Sequence, residues 1–494
     1  MRAKIYITIL VILIFSLAAC VPQAQADPSG EQAAIPLNDC VLSAPGTNPV
    51  RAQCGTLTVF EDPQAQSGRT IDLNIAVIKA VSRTPAPDPI FMLAGGPGQA
   101  ATEAFLPLLS ATNRLNFKRD IVLVDQRGTG KSYPLDCPET EFEQEVIGVE
   151  LPLEEQLAEF SACRASLDFD PTLYTTEIAM GDLEKVRAGL GYEQINLLGV
   201  SYGTRAALTY LRLFPERTRS LVLDGVVPPD WALGSTVGPD SQRALDLIFD
   251  RCAQDSACSE KFPDLHAVFD RLMDDLDESP VEVTVSDPVT AEPVRVMMSR
   301  LTVGTTVRMM SYSDMLAALI PLAVQKASQG DFQMLAGNYL LLARQLGEGL
   351  GIGMYYSVIC MEDEPLLPET LPAGDSYIEP EFDLIHGACD VWLDEPAPAP
   401  AAWGDQKFDV PALIISGEAD PVTPPEYGDR LSRLLPNSLH LVAPGLGHNN
   451  YYVGCIPELV LDFLEETNPS ALDAACVEKI RPQPFFLSPT GPQP

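Results

Sequence analysis

Residues Gly199-Val200-Ser201-Tyr202-Gly203 match the pattern G-x-S-x-G, with the apolar run Ile195-Asn-Leu-Leu198 before them and a helix-forming stretch, 204–214, after them. A strand, a sharp turn and a helix give this motif its physical meaning. The glycines permit a strained turn that lifts the Ser201 hydroxyl above a sheet edge and aims the Tyr202 backbone N–H at the same space. A serine hydroxyl attacks a carbonyl only when a base takes its proton, and on this scaffold the expected chain order is Ser, acid, His. There are four histidines. His266 lies in a helical region, His386 in an acidic loop near a cysteine and His440 within a strand pattern. His448, in the glycine-rich loop Ala443-Pro-Gly-Leu-Gly-His-Asn449 after the last apolar run, is the general-base candidate by position and by elimination. The carboxylate that fixes its tautomer is expected on the loop after the preceding strand, where Gly417-Glu-Ala-Asp-Pro-Val-Thr-Pro424 offers Asp420. Glu418 and Asp224 compete for that role, and Asp224 also reads as a turn or helix-cap carboxylate. Donors for a developing oxyanion are expected from Gly95 or Gly96, in Ala94-Gly-Gly-Pro-Gly98, together with Tyr202. The chemistry these residues fit is acyl transfer through a covalent serine intermediate, which needs no metal and no organic cofactor.

Each of these loops must stand at the end of a strand. Pro89-Ile-Phe-Met-Leu93 runs into the glycine loop, Asp120-Ile-Val-Leu-Val124 into Asp-Gln-Arg-Gly-Thr-Gly130, and Pro411-Ala-Leu-Ile-Ile415 into the Asp420 loop. Ser220-Leu-Val-Leu-Asp224 and Ser438-Leu-His-Leu-Val442 are two further strands of the same kind. Continuous apolar strands suit a parallel sheet covered on both faces, and ligands in such sheets bind beyond the strand C-termini. The fold class expected is α/β, a mostly parallel central sheet with helices on both faces. From 228 to 403 the rhythm turns helical and reads as an inserted lid, which divides the core into 50–227 and 404–494. The stretch Glu395-Pro-Ala-Pro-Ala-Pro-Ala-Ala-Trp403 reads as a stiff return linker, and residues 481–494 as a Pro-rich extended tail.

The composition is that of a globular protein and excludes a disordered, collagen-like or coiled-coil chain. Of 494 residues 46% are hydrophobic and 20% charged, with 68 Asp and Glu against 32 Lys and Arg and a formal net charge of −36. That balance lacks the basic footprint that binding a phosphate backbone requires, so no nucleic-acid partner is expected. Residues 1–19 read as a signal peptide, with Arg2 and Lys4 before an apolar stretch too short to span a bilayer. Leu17-Ala-Ala-Cys20 resembles the bacterial lipobox, which implies lipidation of Cys20, a tether over 20–49 and a membrane anchor on the extracytoplasmic side. Loss of 1–19 makes the chain two charges more negative. Cys20 then accounts for the odd one among 11 cysteines. The other ten, taken in chain order, suggest the pairs Cys40/Cys54, Cys137/Cys163, Cys252/Cys258, Cys360/Cys389 and Cys455/Cys476, as in an oxidising compartment. No C-x-x-C and no histidine cluster points to a metal.

In family order, Gly95-Gly-Pro-Gly98, Asp125-Gln-Arg-Gly-Thr-Gly-Lys-Ser132, Gly199-Val-Ser-Tyr-Gly-Thr204, Asp420-Pro-Val-Thr-Pro424 and Gly445-Leu-Gly-His448 resemble the prolyl iminopeptidases and tripeptidyl aminopeptidases of the α/β-hydrolase fold. The cysteine-containing stretch 455–485 resembles the C-terminal segment of that family. The resemblance implies an exopeptidase that acts on a peptide with a free N-terminus through an acyl-enzyme on Ser201, His448 and Asp420. Family members bind the substrate ammonium with lid carboxylates, and Tyr356-Ser-Val-Ile-Cys-Met-Glu-Asp363 implies Glu362, with Asp363 second, for that role. Two departures touch the oxyanion loop. Ala94 replaces the histidine common in prolyl iminopeptidases, which moves the chain toward the tripeptidyl side, and Gln99-Ala-Ala follows where Gly and Ser are more usual. A carboxylesterase or lipase on the same triad is the alternative, and an inactive peptide-binding surface lipoprotein is a second.

Overall fold

The computed structural model describes residues 34–492 apart from 45–46, 110–113, 138–145, 369–375, 380–381, 399, 401–402 and 405. The signal-peptide reading, Cys20 and the first part of the expected tether lie outside the described residues.

Eleven strands are described, β1 (Asn38–Leu42), β2 (Val50–Phe60), β3 (Thr70–Ile78), β4 (Ile90–Leu93), β5 (Ile121–Val124), β6 (Ile195–Val200), β7 (Thr218–Asp224), β8 (Val281–Ser286), β9 (Pro293–Met298), β10 (Ala412–Gly417) and β11 (Ser438–Ala443). Nine form one sheet in the order β1-β2-β3-β5-β4-β6-β7-β10-β11. Its first four strands pair antiparallel and the remainder, from β5 through β11, pair parallel. β4, β5, β6 and β10 are buried along their whole length, as continuous apolar runs in a two-sided sheet must be. One apolar cluster lies on each face of the sheet. One holds Val186, Leu208 and Leu211 from the helices Thr176–Gly189 and Tyr202–Leu213, and the other Val460 and Phe463 from Ile456–Glu466.

β1 corrects the expected tether over 20–49. Residues 38–42 pair with β2 and are stapled to it by the Cys40–Cys54 disulfide, so the folded chain begins before residue 50. All five expected cysteine pairs form.

The segment between β7 and β10 is mainly helical but packs in two parts. Residues 237–349 build their own core around Phe249, Phe269, Val303 and Leu335, and carry the antiparallel hairpin β8–β9. The helices Ile352–Val358 and Phe382–Trp392 instead join the core of one sheet face through Met354, Val358 and Trp392, beside the helix Leu153–Ser166, while Tyr377 between them packs in the core of the first part. The C-terminal tail lies on the first part, where Phe485 is buried and the Phe486 N–H donates to the Ala318 carbonyl.

Candidate active site

At the end of β6 the chain turns at Ser201 with φ 57° and ψ −127°, a conformation costly for a residue with a Cβ. The glycine two residues on explains what holds it there. A Cβ at Gly203 would lie 2.1 Å from the Leu93 carbonyl oxygen, so the first turn of the helix Tyr202–Leu213 rests on the backbone of β4 with no room for a side chain. The turn is also tied to the exit of β7. The Ser201 N–H donates to the Asp224 carbonyl at 2.9 Å, and the Thr204 hydroxyl donates to the Ser201 carbonyl at 2.7 Å while accepting the Val227 N–H at 2.9 Å.

His448 is buried in the loop after β11. Its Nδ1 is 2.7 Å from Asp420 Oδ2 and 3.1 Å from Thr423 Oγ1, and its Nε2 has no protein partner among the described residues. Asp420 is fully buried. Its Oδ1 accepts the N–H groups of Val422 and Thr423, and its Oδ2 the Thr423 hydroxyl at 2.8 Å. Burial alone would raise the Asp420 pKa, but the imidazole and the Thr423 donors outweigh it and hold the carboxyl below its usual value. Burial likewise disfavours imidazolium, but the Asp420 charge, with help from Asp224, raises the His448 pKa above the ordinary histidine value. The inserted segment completes this shell: the Tyr312 carbonyl accepts the His448 N–H at 2.9 Å, and the Tyr312 ring stands edge-on to the imidazole with centroids 5.2 Å apart.

Of the three competing acids, Asp420 is the one bonded to the imidazole. Glu418 accepts the Gly445 N–H, and Asp224 accepts those of Asn450 and Tyr451. The sequence assigns Thr423 no role; its hydroxyl reaches Asp420 because an Asx turn, with the Val422 N–H donating to Asp420 Oδ1, folds the loop back on the carboxylate. The other three histidines have separate partners: His266 faces Asp246 and Asp250, His386 bonds Glu364, and His440 joins Asp429 to Ser416.

Gly95 lies against the nucleophile candidate, since a Cβ there would come 3.0 Å from Ser201 Cβ. Among the described residues no acceptor engages the N–H groups of Gly95, Gly96 or Tyr202. The far end of this loop is fixed by the inserted segment, whose Gly351 N–H donates to the Gly98 carbonyl at 2.9 Å.

The two expected substrate carboxylates part ways. Glu362 is partly exposed; its Oε1 accepts the Thr176 N–H at 2.6 Å and its Oε2 the Thr176 hydroxyl at 2.8 Å, and that hydroxyl meets the Tyr202 phenol at 2.7 Å. Burial raises the Glu362 pKa, against the pull of Arg205 and the Thr176 donors. Asp363 is corrected: it is fully buried, paired with the buried Arg205 guanidinium at 2.8 Å and bonded to the Leu233 N–H, so its charge is spent inside the protein. Among the described residues no group of three or more His, Cys, Asp or Glu side chains could hold a metal ion, and no helix is long and apolar enough to cross a membrane.

Comparison with known proteins finds two family descriptions on this chain, "alpha/beta hydrolase fold" over residues 88–251 and "TAP-like protein" over residues 377–476. The serine protease Hip1 of Mycobacterium tuberculosis is 26% identical over 468 residues, covering 84% of this chain and 85% of the relative. A tripeptidyl aminopeptidase of Streptomyces coelicolor is 32% identical over 214 residues, covering 40% and 39%. A proline iminopeptidase of Neisseria gonorrhoeae is 30% identical over 141 residues, covering 28% and 32%.

Proposed function

This chain belongs to the α/β-hydrolase enzymes, as a serine hydrolase of the peptidase type, and from that premise we propose that it is an aminopeptidase cleaving peptides from a free N-terminus. The observation that carries the reading is the His448 imidazole held at Nδ1 by Asp420 and Thr423, with Nε2 left open. Ser201 Oγ attacks the scissile carbonyl carbon as its proton passes to His448 Nε2. Asp420 keeps the proton on Nδ1 and stabilises the imidazolium that forms. The tetrahedral oxyanion takes the N–H groups of Tyr202 and of Gly95 or Gly96, each worth roughly 10²–10³ in rate on such a site. His448 returns the proton to the departing amine, and a water, deprotonated in its turn by His448, releases the acyl group from Ser201.

A free N-terminus calls for a fixed anion near the end of the acyl portion. Glu362 supports that role because both its oxygens accept from Thr176, which orients the carboxylate on a residue that is itself only partly buried. The five disulfides support export to an oxidising compartment. Lipidation at Cys20, with anchoring on the extracytoplasmic face, completes the proposal.

The test uses three chromogenic substrates, a free-amine peptide anilide, its N-acetylated twin and a short acyl ester, with wild type and Ser201→Ala. The proposal predicts preference for the free amine and no turnover by the variant. Equal cleavage of free and blocked anilides, or hydrolysis of the ester alone, would contradict it and favour an esterase on the same residues.

A further inference from the structure

Asp224 closes β7, which lies in the sheet between β6, the strand leading to Ser201, and β10, the strand leading to Asp420. It is fully buried and does not touch the imidazole nitrogens, yet both partners of the proposed proton transfer are fastened to it. Its backbone carbonyl accepts the Ser201 N–H at 2.9 Å. Its side-chain Oδ2 accepts the N–H groups of Asn450 at 2.5 Å and Tyr451 at 2.7 Å, the second and third residues after His448. Between His448 and those amides stands Asn449 at φ 71°, so the chain bends sharply there and depends on an acceptor to hold it. The next residue, Gly225, lies against the ring: a Cβ there would sit 2.7 Å from His448 Cε1, at a backbone φ of 68°. The Gly225 N–H is bonded to the Ile415 carbonyl of β10 at 3.0 Å, so the turn is anchored on the acid's side as well.

Among the described residues no group partners Asp224 Oδ1, and burial, only partly offset by the two amides, lifts the carboxyl pKa to about 7.

We propose that Asp224 is the positioning residue that holds the Ser201 turn and the His448 loop in one register, its carbonyl fixing the first and its carboxylate, through the Asn450 and Tyr451 amides, the second. The proposal rests on the reading of Ser201 and His448 as nucleophile and base. It assigns Asp224 a part in turnover with no contact to substrate, distinct from the orienting acid.

The test compares wild type, Ser201→Ala, Asp224→Ala and Asp224→Asn on whichever chromogenic substrate wild type turns over fastest, with circular dichroism to verify folding. Because displacement of a reacting group by about 1 Å costs on the order of 10² in rate, Asp224→Ala is expected to lose about that factor in kcat while KM stays within about threefold. Asp224→Asn keeps an oxygen that can accept both amides and is expected to recover about tenfold or more over Ala. If Asp224→Ala does not fold, Asp224→Asn and Gly225→Ala carry the test, the first expected within about tenfold of wild type and the second about 10²-fold down in kcat at near-normal KM. A folded Asp224→Ala with wild-type kcat, or folded Asn and Ala variants equally impaired, overturns the proposal. An active Ser201→Ala would instead overturn the reading of the nucleophile, whereas an inactive Ser201→Ala beside a fully active Asp224→Ala would sink this proposal alone.

Discussion

The proposed nucleophile half of the site and the proposed acid–base half are held by different physics. Ser201 is positioned by backbone packing: a residue at positive φ between two glycines, with the Leu93 carbonyl where a Gly203 side chain would stand. His448 is positioned by charge and hydrogen bonds: a buried carboxylate, a hydroxyl and the Tyr312 carbonyl converge on it. Close packing tolerates no added atom and responds little to pH, while a hydrogen-bonded charge keeps its fold under an isostere but loses its chemistry and responds to pH strongly. The two halves therefore fail in different ways.

The largest effect expected on the acid–base side is that of Asp420→Asn, which keeps the shape and loses the tautomer control. We expect kcat to fall by roughly 10⁴ with folding preserved, and a loss under tenfold would show that another acid orients the imidazole. On the nucleophile side Gly203→Ala is expected to act through the fold, costing about 3 kcal/mol by overpacking against the Leu93 carbonyl, read as a large fall in the melting temperature. Thr423→Val removes one hydroxyl from a charged network and should cost about 10- to 10²-fold in kcat, with little change in melting temperature.

Because the folded-state pKa of His448 lies above its ordinary value, the base is protonated and idle until the pH passes that raised value. The acid limb of kcat/KM is therefore expected above about pH 6.5, the unperturbed histidine value. The smallest effect is expected from Glu418→Gln, which keeps an acceptor for the Gly445 N–H outside the network and should stay within about threefold of wild type.

What the sequence made legible was local. The turn at Ser201, the acid loop after β10 and the glycine loop after β4 each carry their signal within a few neighbouring residues, because strand ends and tight turns restrict residue type. Pairings across long separations were not legible. Nothing near Asp363 announces the Arg205 guanidinium that neutralises it, and a carboxylate beside Glu362 was therefore read as a second substrate ligand. β1 was missed because its residues are mostly exposed at a sheet edge and lack an apolar stripe. The β8–β9 hairpin does carry alternation in Val281-Glu-Val-Thr-Val-Ser286, hidden among stronger helical periods. Asp224 was weighed as an acid or a turn carboxylate, and its link to the amides after His448 emerges only when β7 is seen to lie between β6 and β10.

The central claim, that Ser201 is a nucleophile activated by His448, is tested most directly by labelling the purified protein with a fluorophosphonate and mapping the adduct by peptide mass spectrometry. The account predicts one adduct, on Ser201, that is absent from Ser201→Ala and strongly slowed in His448→Ala. An unlabelled wild type, an adduct on another serine, or undiminished labelling of His448→Ala would contradict it.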